Sequence, residues 1–277
     1  MIKNDNKIVI VRGGGDLATG VVQKFFRAGF NVLILEAQAP TAVRRSVSLC
    51  EAVYEGIKNV EDVTCRRISS ILELDACIQE GFIAMLVDPE GKSIDEIKPA
   101  AVIDAIMAKR NHGTNRSMAD VTIALGPGFC AGKDVHAVIE TKRGHDLGRL
   151  ILDGYARPDT GIPGEVGGES ARRVVRAPLG GVVKHKKQIG DIVERGEVLF
   201  TINDIENNDT DVRASISGVL RGLIREGTQV SIGMKTADID PRIDVDWRTI
   251  SDKARCIGGA VLEAYFLLKH ENIKNGG

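Results

Sequence analysis

The strongest constraint on this chain is a glycine-rich turn between an apolar run and an amphipathic stretch. Residues 7–11 (Lys7-Ile8-Val9-Ile10-Val11) read as a buried parallel strand. Arg12-Gly13-Gly14-Gly15-Asp16-Leu17-Ala18-Thr19-Gly20 follows directly. Leu17, Val21, Val22, Phe25 and Phe26 then recur at helical spacing, with Gln23, Lys24 and Arg27 on the other face and Gly29 as the stop. Residues 31–36 form a second strand and complete a βαβ unit, which crosses over right-handed onto a parallel sheet.

Gly13, Gly15 and Ala18 fit the spacing G-x-G-x-x-G/A. That spacing serves a tight turn, backbone approach to a pyrophosphate, and close helix–strand packing. With Gly14, Asp16 and Leu17 they form a candidate phosphate cradle at a helix N-terminus, where free N–H groups and the dipole favour an anion. Glu36 ends the second strand, in place to hold a ribose 2′-hydroxyl. A tight turn of purely structural purpose has the same letters, and the pattern leaves both readings open.

Three more apolar strands are expected at residues 82–87, 101–106 and 121–125, and another at 135–140. A helix is expected at 69–79 with Ser70 as its cap, and extended segments at 50–54 and 62–67. Ligands of open α/β sheets sit beyond the carboxyl ends of the strands. Gly126 and Gly128 form a second glycine-rich loop there, and Lys109 and Arg110 could neutralise phosphate; a solvated basic loop fits the same residues. His145 is a candidate general acid or base, or simply a hydrogen-bonding loop residue. Asp134, His136, Glu140 and His145 match no known metal-ligand spacing, so no metal site is expected.

A formal charge of -1 and 4% aromatic residues give neither a basic field nor stacking platforms, which argues against nucleic acid. No stretch approaches the ~20 apolar residues of a membrane helix, and residues 1–7 lack a signal-peptide core. The five cysteines form no CxxC pair, so a disulfide framework is not expected, and the expected compartment is the cytoplasm.

Residues 156–164 are rich in Pro and Gly and read as a linker. Beyond them a β pattern occurs twice. Ala177-Pro178-Leu179-Gly180-Gly181-Val182-Val183 is followed by Gly190, Gly196 and residues 197–200; Ala214-Ser215-Ile216-Ser217-Gly218-Val219 is followed by Gly227 and Val230. Short strands with regular glycine turns argue a small barrel or sandwich. The duplication resembles the biotinyl/lipoyl-carrier fold, the barrel-sandwich hybrid. Its central hairpin, residues 203–211, has no lysine, which argues against a covalently attached cofactor and for a binding or docking module. A terminal helix from about residue 252 to 268 is expected to return to the sheet. The expected fold is thus a Rossmann-like, mostly parallel α/β domain (1–155), a barrel-sandwich-hybrid-like β domain (165–242), and a C-terminal helical segment (243–277).

Several motifs together resemble one bacterial family. They are Arg12 to Gly20 as written above, Ala124-Leu125-Gly126-Pro127-Gly128-Phe129, Asp134-Val135-His136-Ala137-Val138-Ile139-Glu140-Thr141, Arg143-Gly144-His145, Thr160-Gly161-Ile162-Pro163-Gly164 and Asp238-Ile239-Asp240-Pro241-Arg242. The family is the selenium-dependent molybdenum hydroxylase system proteins, YqeB-like accessory and cofactor-maturation factors. The resemblance implies a maturation role, with molybdopterin dinucleotide or another nucleotide as the phosphate-bearing ligand and a molybdenum hydroxylase as partner. Selenium or sulfur delivery would need a reactive thiol, for which Cys130, with Lys133 near it in sequence, is the candidate; a plain loop residue is the other reading. Two alternatives stand beside it: an NAD-dependent oxidoreductase, from the fingerprint plus Glu36, and a non-enzymatic docking protein for an apo-hydroxylase. A homo-oligomer is compatible with all three.

Overall fold

A computed structural model describes residues 8–162 and 164–275. The expected strand start at Lys7, the polar segment 1–7 and Pro163 lie outside the described residues. The chain forms two compact units, one of residues 8–40, 48–159 and 250–275 and the other of 41–47 and 160–249. The sequence-based boundaries therefore need correction. Residues 41–47 belong to the second unit, because Leu223 N–H donates to Val43 O at 2.8 Å and Arg45 Nε to Leu223 O at 2.7 Å. Residues 243–249 also stay with that unit, where the Trp247 ring lies against Gly190.

The first unit is mixed α/β. Its elements are β1 (Ile8–Arg12), α1 (Asp16–Arg27), β2 (Asn31–Glu36), α2 (Ala52–Glu55), β3 (Ile57–Val60), β4 (Val63–Arg67), α3 (Leu74–Gln79), β5 (Ile83–Val87), α4 (Ile94–Ile97), β6 (Ala101–Asp104), β7 (Thr122–Leu125), β8 (Cys130–Ala131), β9 (Ala137–Ile139), β10 (Leu150–Ile151) and β11 (Gly154–Tyr155). The strands order as β10-β9-β7-β6-β1-β2-β5-β4-β3 in one sheet. From β9 to β4 all pairs are parallel; the edge strands β10 and β3 are antiparallel. On one side of β1 the chain runs outward through β6, β7, β9 and β10. On the other side β2 lies next to β1, but β5 is inserted between β2 and β4, and the switch of sides falls between β1 and β6. Ile10, Leu33, Ala84 and Val102 point to one face, where Leu74, Cys77 and Ile94 close the core. The other face carries α1 and the C-terminal helix α5 (Asp252–Asn275), which pack on each other. A side chain at Gly20 of α1 would collide with Ala254 O, and one at Gly258 of α5 with Gly20 O, so these two glycines set the helix approach. Phe25, Phe30 and Tyr265 meet edge to face beside that crossing, with ring centroids 5.1–5.7 Å apart.

Residues 50–54, expected to be extended, are helical. Val53 and Tyr54 favour strands locally, but Cys50 N–H donates to Gly14 O at 2.8 Å, and this tertiary bond fixes the turn. The helix expected at 69–79 begins as a 3-10 turn, with Ser70 Oγ accepting from Leu72 N–H.

The second unit contains β12 (Val174–Arg176), β13 (Gly181–His185), β14 (Ile192–Val193), β15 (Val198–Asn203), β16 (Asp209–Arg213), β17 (Gly218–Leu223), β18 (Gln229–Val230) and β19 (Lys235–Asp240). They make two antiparallel sheets, β12-β19-β17-β14 and β16-β15-β13-β18. Exchanging β12–β15 for β16–β19 maps one sheet onto the other. The repeat seen in the sequence is therefore an internal two-fold, in which β14 pairs with β17 and β18 with β13. Gly181 and Gly218 occupy matching places: each has a φ near +150°, and a side chain would strike Asn203 O and Asp240 O respectively. Leu199, Phe200, Ile202, Leu220, Leu223 and Ile239 form the shared core.

Candidate functional site

The glycine-rich turn sits at the carboxyl edge of the parallel sheet, at the end of β1. Gly13 takes φ +92°, and a Cβ there would lie 3.0 Å from Ala105 O and from Ile106 Cα. A Cβ on Gly14 would lie 3.0 Å from Cys50 N. These two glycines are small because protein backbone approaches them. Gly15 differs: it is the N-cap of α1, and a Cβ there meets no atom within 4 Å. No side chain caps α1. The start of α1 at Gly15 therefore borders open space; Asp16 and Leu17 after it are half-buried, and Ala18 is buried. Asp16 already brings one negative charge to that turn.

Glu36 does not reach outward. Its Oε2 accepts from Gly14 N–H at 2.7 Å and its Oε1 from Ala37 N–H at 2.7 Å. Burial raises its carboxyl above the ordinary value, and these two N–H bonds only partly offset it. The expected ribose contact is thus replaced by an internal one, because the side chain folds back onto the loop it follows.

Beside the turn lies a buried polar cluster that motif reading passed over. Arg12 is 1% exposed and stands in register with Asp104 of β6, which is 2% exposed. Arg12 Nη1 donates to Thr114 Oγ1 at 2.5 Å, and Thr114 Oγ1 donates to Asp104 Oδ2 at 2.6 Å. Arg12 Nη2 donates to Pro89 O at 2.8 Å and to His112 O at 3.3 Å. Burial pushes the Asp104 carboxyl up, against the opposing bonds from Thr114 and Ile106 N–H. A single charge closing each of two apolar strands was the available signal. The cluster fixes the loop carrying Lys109 and Arg110.

That loop meets the second glycine-rich segment. A Cβ on Gly128 would lie 2.8 Å from Arg110 N, and one on Gly126 would lie 2.6 Å from Thr141 Oγ1. The structure therefore brings Lys109, Arg110, Gly126 and Gly128 together, but through backbone packing. Lys109 Nζ pairs with Asp159 at 2.6 Å, and Arg110 Nε donates to His112 Nε2 at 3.2 Å. Cys130 is half-buried in β8, its N–H donating to Asp134 Oδ2 at 2.8 Å. Tyr155 is its register partner on β11, and interaction with the Cys130 thiol raises the phenol's pKa; the thiol itself donates to Ala131 O at 3.6 Å. His145 is exposed and makes no hydrogen bond among the described residues; nothing joins it to Cys130. Among the described residues no three His, Cys, Asp or Glu side chains stand together as a metal site, and no helix is long and apolar enough to cross a membrane.

In the second unit, the motif of residues 238–242 forms an ion-pair network. Arg221 Nη2 binds Asp238 at 2.9 Å, and Arg221 Nη1 and Arg242 Nη2 each bind Asp240 at 2.8 Å. Burial alone would raise Asp240, but Arg242 and Arg221 outweigh it and hold the carboxyl below its ordinary value.

At the opposite, amino edge of the large sheet is a cavity of about 830 Å³, lined by lead-in residues of β6, β7 and β9 together with α4 and α5.

No protein-family model matches the chain. Among solved structures, a succinylglutamate desuccinylase/aspartoacylase from Rhodobacter sphaeroides is 12% identical, with 85% of this chain and 86% of that one covered, at a TM-score of 0.28. The product-bound ectoine utilization protein EutE (DoeB) from Ruegeria pomeroyi is 10% identical, with 86% of each chain covered, at a TM-score of 0.27. Superpositions this loose carry no argument about fold or chemistry. In sequence, the chain is 46% identical over 270 residues to the uncharacterized protein YqeB of Escherichia coli (strain K12), covering 97% of this chain and 49% of that protein. The chain thus spans about half the length of the curated relative it matches, and the similarity fits a YqeB-like family.

Proposed function

We propose that this chain is an accessory factor in the maturation of selenium-dependent molybdenum hydroxylases. In this reading it binds a phosphate-bearing ligand, a nucleotide or a molybdopterin dinucleotide, at the N-terminus of α1. The first unit is read as Rossmann-like and the second as barrel-sandwich-hybrid-like, the latter serving to dock the hydroxylase. The observation that carries the ligand site is the open N-cap: a methyl at Gly15 would have no neighbour within 4 Å, while Gly13 and Gly14 beside it are packed against protein. The position also lies where strand order reverses, the usual place for ligands in open α/β sheets. The main-chain N–H groups of the first turn would hold a phosphate, and Asp16 would disfavour a second negative group directly beside it. The maturation role itself rests on the motif resemblance. The nicotinamide alternative is weakened by Glu36, both of whose oxygens already accept from main-chain N–H groups.

Gly15→Val tests the ligand site cleanly, because the open surroundings leave the fold intact while the side chain covers the amides. Thermal shift and calorimetry with CTP, ATP, NAD and molybdopterin cytosine dinucleotide should show one ligand stabilising the native chain and none stabilising the variant. Equal responses from both proteins would remove the site. Cys130→Ser should leave the fold unchanged; undiminished hydroxylase maturation in cells carrying it would remove any role for that thiol.

A further inference from the structure

The amino-edge cavity is used by nothing proposed above. Five segments converge on it: α4, the lead-in to β6 at residues 98–100, the lead-in to β7 at 116–120, His136 before β9, and Lys269 of α5. Its volume of about 830 Å³ falls within the range of small-molecule pockets. The charged lining consists of Lys98, Arg116 and Lys269 against Asp95 and Asp120. Lys269 Nζ is held by Asp120 at 2.9 Å. Arg116 donates through Nη1 to Gly132 O at 2.7 Å; its Nε and Nη2 have no partner among the described residues.

His136 is set as a neutral donor. The Thr122 main-chain N–H donates to Nδ1 at 3.0 Å, and the Thr122 hydroxyl lies 2.8 Å from the same nitrogen; with Nδ1 accepting, the neutral ring carries its proton on Nε2. Burial, and after it the charge of Arg116, holds the imidazole below its ordinary pKa. The ring's hydrogen bonds among the described residues are both at Nδ1, leaving Nε2 without a protein partner there. The lip of the cavity is also strained in one place: Lys98 caps α4 at φ +49°, a left-handed position where glycine is the easier residue.

We infer that this cavity binds the carboxylate or phosphate of a small metabolite, received by the Arg116 guanidinium and the Nε2–H of His136. Both groups only donate. Of the two lining carboxylates, Asp120 is held by Lys269, and three basic side chains line the cavity against these two acids, which favours an anion; an apolar ligand would cover the N–H donors unsatisfied. An oxyanion takes both, with the planar fork of arginine suited to two parallel bonds. The inference is independent of the glycine-rich turn at the other edge.

The test uses the full chain labelled with ¹⁵N at histidine, with the His136 resonance assigned by its loss in His136→Gln. Inorganic phosphate and malonate are titrated separately. The expected result is a saturating shift of His136 Nε2 with at least one of them, and the preferred anion identifies the source of the oxyanion. Arg116→Gln should weaken that binding by about tenfold or more, whereas Gly15→Val should not change it. Arg116→Lys keeps the charge and serves where Arg116→Gln does not fold; it too should bind more weakly, having lost the fork. The absence of a saturating shift with either anion, or binding unchanged in the folded arginine variants, would overturn the assignment.

Discussion

At the carboxyl edge of the large sheet, Arg12 spends its donors on Thr114 and on the carbonyls of Pro89 and His112, and Glu36 spends both oxygens on Gly14 and Ala37. At the amino edge, Arg116 and His136 each keep donors that no described residue accepts. The two edges hold similar side chains in opposite settings: Arg12 is buried and engaged by protein, whereas Arg116 is exposed and His136 half-buried beside the cavity. Glycines in a nucleotide-like spacing can be small for the sake of their own fold, and unpaired donors beside a cavity are the better marker of a ligand.

Five substitutions would break or sharpen this contrast. The largest effect should come from Arg12→Met. It leaves Asp104 buried without the nearby cation and orphans two carbonyls, so urea unfolding should show a loss of about 3–5 kcal/mol. The equivalent loss at the amino edge, Arg116→Gln, should be far smaller because Arg116 is exposed. Gly14→Ala comes next. Its methyl would stand 3.0 Å from Cys50 N, and the bond between Gly14 O and Cys50 N–H limits retreat, giving a loss of about 1–3 kcal/mol by the same measurement.

Glu36→Gln should act through pH. The folded chain holds the Glu36 proton more tightly than the unfolded chain, so wild-type stability falls as pH rises above the ordinary value of 4.5. Glutamine does not titrate, and this part of the slope should vanish in unfolding curves taken from pH 4.5 to neutrality. An unchanged slope would mean that Glu36 is not held in a desolvated corner. The smallest effect should be a gain. Lys98→Gly relieves the left-handed backbone at the cavity lip and should stabilise by roughly 0.5 kcal/mol, the balance of strain relieved against glycine's entropy, measured as a small rise in Tm.

The sheet was readable where local pattern and tertiary role agree. Residues 31–36 form the expected strand, and the apolar runs ending at Val11, Val87 and Leu125 all became parallel strands. The helical face of Val21, Val22 and Phe25 is buried as its spacing required. Reading failed where a distant partner decides. Residues 50–54 carry strand-forming side chains but are turned by a bond to Gly14, and residues 41–47 join the second unit through Leu223, far along the chain. The motif letters also could not say which atom faces each missing Cβ, so Gly14 and Gly15 looked alike although one is packed and the other open. The cavity was invisible for a related reason: Lys98, Arg116, His136 and Lys269 belong to separate segments and form no motif.

The two-fold of the second unit has a consequence for how that unit could arise and fail. Each half lends two strands to the sheet built on the other: β12 and β14 flank β19 and β17, and β16 and β18 flank β15 and β13. A polypeptide holding a single half would expose unpaired edges on both sheets and could close them only against a twin. Breaking the tether at the hairpin of residues 204–208 should therefore leave two fragments that reassemble, whereas deleting either fragment should drive the survivor to pair with itself.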